Sequence, residues 1–330
     1  MVINMASRYN QGVSRVLEKL KISLNSGNYY EAHQMYRTLY FRLLGQKDYA
    51  NLKELLCDGS RLLLERDQHV SGADLGILYV DVLNKSATVP HENVFEQIAV
   101  LFSIMKAGTP ERETFLHRGL KWSTKGSNYK WGHPDLHKKI AQVYWREKNY
   151  PAAKQHFLYS KDGSGCAEML VELHQQRGYT NEIDLFIAQA VLEYLCLQDK
   201  VSAQEVFDTY TSRHPKINNG PPYLLPLLNF LFFLLKTVET GKLAVFTVLC
   251  EQYQLSINRD PTYRTYLDKI GQIFFKVPPP RPNNHGFLGS ILQSFLTGLA
   301  EEYSEDEDDS DGETRHHSRA STSQTMHDLD

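Results

Sequence analysis

Gly27-Asn-Tyr-Tyr-Glu-Ala-His-Gln-Met-Tyr-Arg-Thr-Leu-Tyr-Phe-Arg42 carries the packing signature that decides the fold. Tyr29, Ala32, Tyr36 and Leu39 recur at three- and four-residue spacing, which places them on one face of a helix, with small Ala32 where a neighbouring helix can approach closely. Gly27 and Asn28 supply the turn before it. The pattern returns 121 residues later as Asn149-Tyr-Pro-Ala-Ala-Lys-Gln-His-Phe157, so that Tyr29, Ala32 and Tyr36 correspond to Tyr150, Ala153 and Phe157. A weaker echo lies at Lys47-Asp-Tyr-Ala-Asn-Leu52. Three hairpins of about 40 residues each span that interval, which suits a stack of two-helix repeats in which each unit needs its neighbours to bury its apolar stripe.

Helical periodicity extends over 10–25, 28–45, 48–66, 71–85, 91–106, 110–122, 134–147, 149–160, 165–177, 180–197, 200–213, 223–239, 241–254 and 260–275, punctuated by Gly178, Asp199, Gly220 and Gly241. Almost no segment alternates with period two, so the expected class is all-α: a tetratricopeptide-like solenoid of stacked hairpins. The likeness to tetratricopeptide repeats is partial, since Leu20 and Leu44 stand where that repeat places Gly and Pro. Residues 1–9 read as a flexible N-terminus and 10–277 as the solenoid. The solenoid is expected to stop near Val277 because Pro278-Pro-Pro-Arg-Pro282 favours an extended spacer. Within 278–300, Phe287, Leu288, Ile291, Leu292, Phe295, Leu296 and Leu299 form a short amphipathic stripe. Residues 301–330, acidic and without aliphatic periodicity, read as disordered, with Ser304 and Ser310 in acidic contexts suited to phosphorylation.

A chain of 330 residues is long enough to bury a continuous core, and 42% hydrophobic with 23% charged residues excludes a fibrous or wholly disordered chain. The net charge of −3 is uneven: 301–330 hold eleven acids against Arg315 and Arg319, a balance of −9, so 1–300 carry +6. The first 45 residues hold Arg8, Arg15, Lys19, Lys21, Arg37 and Arg42 against Glu18 and Glu31, which should attract an acidic partner. Cys57, Cys166, Cys196 and Cys250 are far apart in apolar helical contexts, as expected of buried thiols in a reducing compartment. Met1 to Gln11 is polar, unlike a signal peptide. The longest apolar run, Tyr223 to Leu235, is interrupted by Pro226 and Asn229 and falls short of the roughly 20 residues that span a bilayer. Direct membrane insertion is therefore not expected, and a cytosolic location is.

Three patterns bear on chemistry. His133 and His137 have metal-ligand spacing but lack a third ligand and an intervening Glu, which favours hydrogen bonding or packing. Asp162-Gly-Ser-Gly-Cys166 has the small residues of a phosphate loop without its Lys-Ser/Thr end or a preceding strand, which favours a hairpin turn. Neither a nucleophile elbow nor a poised carboxylate pair assembles. No enzyme activity, cofactor, metal or nucleic-acid partner is expected.

The chain also resembles one family, that of Golgi-to-ER traffic protein four, the thirty-five-kilodalton subunit of the transmembrane-domain recognition complex. The residues that carry the likeness include Tyr29 to Leu39, Leu120-Lys-Trp-Ser123, Gly132-His-Pro134, Gly165-Cys166-Ala167, Ala188 to Leu192, Gly220-Pro-Pro222, Pro226 to Phe230, Gly241-Lys242-Leu243, Val245 to Gln254, and Tyr266 to Phe275. It spans roughly residues 10 to 300 and leaves out the acidic tail.

The resemblance implies a non-catalytic adaptor in the guided entry of tail-anchored membrane proteins, with a part in quality control of mislocalised hydrophobic proteins. It implies a basic N-terminal face that docks the targeting ATPase, and Arg15, Lys19, Tyr30, His33, Arg37 and Arg42 stand in the matching region. It also implies a C-terminal half that holds a ubiquitin-like subunit or a large Bag-family scaffold, where Gly220, Pro221, Pro222, Tyr223 and Phe246 fall. The competing expectation is a general tetratricopeptide co-chaperone that clamps a carboxylate terminus. That clamp requires Lys and Asn where this chain has Leu17 and Lys21.

Overall fold

One kind of turn, repeated along the chain, sets the architecture. A computed structural model describes residues 11–218 and 220–278. The expectations for residues 1–9, for the spacer and amphipathic stripe, and for the acidic tail lie outside these, save for Pro278 at the margin. Among the described residues there is no strand, and fifteen α-helices follow one another. They are α1 (Gln11–Asn25), α2 (Tyr29–Gly45), α3 (Tyr49–Glu65), α4 (His69–Lys85), α5 (Glu92–Ile104), α6 (Pro110–Ser123), α7 (Pro134–Arg146) and α8 (Tyr150–Phe157). Then come α9 (Gly163–Arg177), α10 (Ile183–Cys196), α11 (Lys200–Arg213), α12 (Pro226–Thr240), α13 (Leu243–Gln252), α14 (Gln254–Ile257) and α15 (Thr262–Phe275). The chain is an all-α solenoid.

After α1, Gly27 sits at φ +74° and donates to the Leu24 carbonyl (3.2 Å), while the Asn28 N–H reaches back to Ser23 (2.8 Å). Carbonyls orphaned at the helix end are thereby satisfied. Asn28 then caps the next helix, its side-chain oxygen accepting from the Glu31 N–H at 3.3 Å. The same pair of backbone bonds recurs at 47/48, 67/68, 87/88, 148/149 and 198/199, with Lys47, Asp67, Ala87, Lys148 and Gln198 in the left-handed region. Asp48, Asn149 and Asp199 cap as Asn28 does. The first four turns are 20 residues apart, so a helix with its turn is one unit and a hairpin is two.

Packing follows from the stripes that the turns align. Tyr36 is 1% exposed and lies over Gly59 of α3, where an added Cβ would come within 2.5 Å of its ring. Ala32 and Ala153 are fully buried, as is Phe157, so the 121-residue correspondence is one of packing. Its first members differ: Tyr29 is half-buried, whereas Tyr150 is buried with its hydroxyl 2.7 Å from Glu172 and Gln176. Further along, α10 becomes central, packed against α9, α11, α12 and α15. The turn after α14 is fastened to it by Arg259, which bonds the buried Asp184 carboxylate (2.5 Å) and the Asn181 carbonyl (2.6 Å).

Some boundaries differ from the periodicity, each for a local reason. α9 begins at Gly163 rather than 165 because Asp162 caps it, accepting from the Gly165 N–H at 2.9 Å. α12 begins at Pro226 rather than 223 because proline suits the first helical turn, where its missing N–H costs nothing. The stretch 241–254 divides at Tyr253 into α13 and α14. No helix among the described residues is long and apolar enough to cross a membrane.

Candidate partner-binding surfaces

The first surface is built on α1 and α2. On α1, Arg15, Glu18, Lys19 and Ile22 are exposed at i, i+3, i+4 and i+7, opposite the buried stripe Val13, Leu17 and Leu20. On α2, Tyr30, Gln34, Arg37 and Phe41 form a second outward stripe; Tyr30 is 76% and Phe41 62% exposed. Arg15 and Lys19 make no ion pair among the described residues. Arg42, His33 and Arg37 are engaged within the fold. Arg42 donates to the Gly12 carbonyl (2.7 Å), tying α2 to α1. His33 Nε2 lies 2.7 Å from Asp74 of α4, and Arg37 donates to both oxygens of the same carboxylate (3.1 and 3.2 Å). The His33 hydrogen bond, helped by the Arg37 guanidinium, holds the Asp74 carboxyl below its ordinary range. Of the six residues the resemblance singles out, Arg15, Lys19 and Tyr30 therefore face water freely, while His33, Arg37 and Arg42 also position α2. Ile22, Phe41 and Asp74 belong to this face and had no signal in the periodicity, since they lie off the core stripe.

The second surface belongs to the C-terminal helices. α12 and α13 face each other across an apolar groove of about 720 Å³, whose exposed lining includes Phe233, Val245 and Val248, with Lys236 and Lys242 beside them. Phe246 is not part of the lining: it is fully buried and stacked on Phe275 at 4.5 Å between centroids. It fixes the rotation of α13 that turns Val245 and Val248 outward. A second cavity of about 470 Å³ lies beneath Pro222 and Tyr223, lined also by Ile183, Ile217 and Leu228. Tyr223 is pinned there by two bonds of 2.7 Å with the Asn229 amide, and its ring meets Phe207 edge-on. Leu224 beside it is 96% exposed. Gly220 and Pro221 are exposed and lead into this turn.

Two buried histidines hold the base of that turn. The Tyr179 carbonyl can only accept, so His174 carries its proton on Nε2 (2.9 Å) and accepts on Nδ1 from His214 Nε2 (2.9 Å). His214 Nδ1 in turn accepts from the Lys216 N–H (3.2 Å). Every ring nitrogen is used with both imidazoles neutral. Burial, with His174 and Lys216 adding to it, pushes His214 down to about 4.

The candidate chemistry resolves into structure. His133 caps α7 and lies against Phe95, while His137 bonds His156 and the Trp131 carbonyl, so the two rings have separate partners. Among the described residues no three metal-ligating side chains converge. At the start of α9 the place a phosphate would take is filled by Glu205, which accepts from the Gly163 N–H (3.1 Å) and Ser164 Oγ (2.6 Å). All four cysteines are free, and burial pushes Cys57, Cys166 and Cys250 up to about 12 and Cys196 to about 11. Leu17, at a position where a carboxylate clamp needs a polar side chain, is 5% exposed and belongs to the core.

Comparison with known proteins finds relatives over most of the chain. The family model for Golgi to ER traffic protein 4 matches residues 46–296. A Golgi to ER traffic protein 4 homolog from Oryzias latipes is 53% identical over 290 residues, covering 88% of this chain and 90% of that relative. The homolog from Homo sapiens is 50% identical over 306 residues, covering 92% and 93%. A crystal structure of C. therm. Get4 superposes with a TM-score of 0.74 at 26% identity, covering 88% of this chain and 96% of that one. The chain belongs to the Golgi to ER traffic protein 4 family.

Proposed function

We propose that this chain is a non-catalytic, cytosolic adaptor in the delivery of tail-anchored membrane proteins to the endoplasmic reticulum. The α1/α2 face would hold the targeting ATPase through Arg15, Lys19 and Tyr30. The α12/α13 groove and the Pro222–Tyr223 turn would hold a ubiquitin-like subunit or a segment of a Bag-family scaffold. Joining the two raises the effective concentration at which a client passes between them, without any chemistry by the adaptor itself. The same complex would send mislocalised hydrophobic proteins to degradation. The observation that supports this reading most is the pairing of family membership with two chemically unlike surfaces, at α1/α2 and at α12/α13, on one solenoid.

The test is reconstitution from purified components, with the ATPase in the presence of ATP and the ubiquitin-like or Bag-scaffold partner added separately and together. A ternary complex in which neither partner weakens the other is expected. Mutually exclusive binding, or binding of only chaperone C-terminal peptides, would overturn the proposal.

A further inference from the structure

The loop between α6 and α7 belongs to neither surface. From Thr114 to Pro134 the chain holds no Asp or Glu. The exposed part of that stretch presents Lys121, Lys125 and Lys130 together with Tyr129 (42% exposed) and Trp131 (61% exposed). A large indole standing in water is uncommon, and here it is held there from below. The Trp131 carbonyl accepts from His137 Nε2 at 3.2 Å. Gly132, at φ +133°, passes so close to the same ring that a Cβ would meet His137 Nε2 at 2.8 Å. The His133 N–H donates to Ser123 Oγ, itself buried, at 2.9 Å.

Because the carbonyl only accepts, His137 carries its proton on Nε2 and takes the His156 Nδ1–H on its own Nδ1 at 2.9 Å. Burial keeps both rings neutral, pushing His137 down to about 4 and His156 to about 3. The loop backbone is thus fixed to the solenoid while Tyr129, Lys130 and Trp131 stand exposed; Lys125 is exposed as well, its Nζ reaching the Asn84 carbonyl at 3.4 Å. Lys130 Nζ sits 5.1 Å from the centroid of the Trp131 ring, so cation and indole form one patch.

We propose that this loop docks the chain on an anionic lipid bilayer, with Trp131 and Tyr129 at headgroup depth and Lys121, Lys125 and Lys130 over the lipid charges. Trp and Tyr are the residues that favour the membrane interface, and nearby lysines add attraction to acidic leaflets. A bilayer is favoured over an acidic protein because the exposed rings and amines, on the loop and the last turn of α6, line neither cavity of the C-terminal half, and a plane needs no matching pocket. Contact of this kind is peripheral, which agrees with the absence of a spanning helix among the described residues.

The chain has three tryptophans, and their environments make the test direct. Trp122 is buried and Trp145 half-buried, so the solvent-exposed emission comes from Trp131. The full-length chain is titrated with vesicles of phosphatidylcholine alone and with vesicles about one-third phosphatidylserine. A blue shift with the anionic vesicles only is expected, absent from Trp131→Phe. In co-sedimentation, Lys125→Gln/Lys130→Gln is expected to weaken vesicle binding about 25-fold with an unchanged melting temperature. Sedimentation without any change in Trp131 emission would assign lipid binding to another basic surface and overturn the proposal. So would a shift produced by soluble polyglutamate and not by vesicles, which would make the partner an acidic protein, or no interaction with either.

Discussion

The first hairpin and the α12/α13 groove are made of the same element, an antiparallel pair of helices, yet they present opposite chemistry to water. α1 and α2 expose the unpaired cations Arg15 and Lys19 beside isolated apolar side chains, while His33 and Arg37 are tied to Asp74 and Arg42 to the Gly12 carbonyl. α12 and α13 expose Phe233, Val245 and Val248 across a groove. Attraction of a partner to the first would be Coulombic and screened beyond about 10 Å at 0.1 M salt. At the second it would scale with apolar area removed from water, roughly 25 cal/mol per Å². Two partners held at these surfaces, as proposed, would have affinities that respond to different conditions.

The comparison breaks most severely if the shared scaffold fails. Tyr36→Ala would empty the space over Gly59, and Phe157→Ala the equivalent site 121 residues on. Each is expected to cost about 3–5 kcal/mol. Denaturant titration checks it, and a loss below about 1 kcal/mol would show that these rings do not bear the packing. Next in size is Val248→Glu, which puts a charge into the groove without touching the core. It is expected to weaken the C-terminal partner by at least about 2 kcal/mol, or about 30-fold, while ATPase affinity and melting temperature stay as they were. Loss of both partners would show instead that the change had unfolded the chain.

Acid should act on the buried histidines before it acts on Asp74. An unfolded histidine titrates near 6.5, whereas His214 and His137 are held neutral in the fold down to about 4. The unfolded state therefore binds more protons between these values, and stability falls as pH drops from about 6.5 to about 4. The Asp74 carboxyl is depressed, so what it contributes is present above the ordinary carboxylate range and is lost only as pH falls below that range. Melting curves in that upper window should show a shallower slope for His214→Asn than for the parent. Identical slopes would mean that these histidines do not set the acid limit. The smallest effect is that of Asp74→Asn at neutral pH. In its pair with Arg37 the side chains are 42% (Arg37) and 31% (Asp74) exposed, so a loss of only about 0.5–1 kcal/mol is expected.

The solenoid was legible because its turn is local: Gly27-Asn28 announces both the left-handed residue and the cap. The turns at Lys47 and Ala87 take the same conformation, and nothing in those residue types marks it, so only the 20-residue spacing could have found them, and Lys148 and Gln198 lie outside even that spacing. The groove was legible as apolar sequence but not as a surface. α13 is apolar nearly all round, and which side faces water is decided by the stacking of Phe246 on Phe275, a contact between separate helices. Phe246 lies on a helix that lines the groove, with its own side chain buried behind the lining. The Asp74 partnership with His33 and Arg37 joins residues about two helices apart, and no spacing rule reaches that far.

The most direct measurement is calorimetry of each partner at low and high salt, on the parent and on Arg15→Glu/Lys19→Glu. In the parent, affinity for the ATPase with ATP should fall steeply with salt, while that for the ubiquitin-like or Bag-scaffold partner stays nearly constant. The variant should lose most of its ATPase affinity at low salt and most of the salt dependence with it, and bind the other partner as before. An ATPase affinity that is indifferent to salt and to both substitutions would contradict a charged N-terminal docking face, and with it the division of the solenoid into two unlike surfaces.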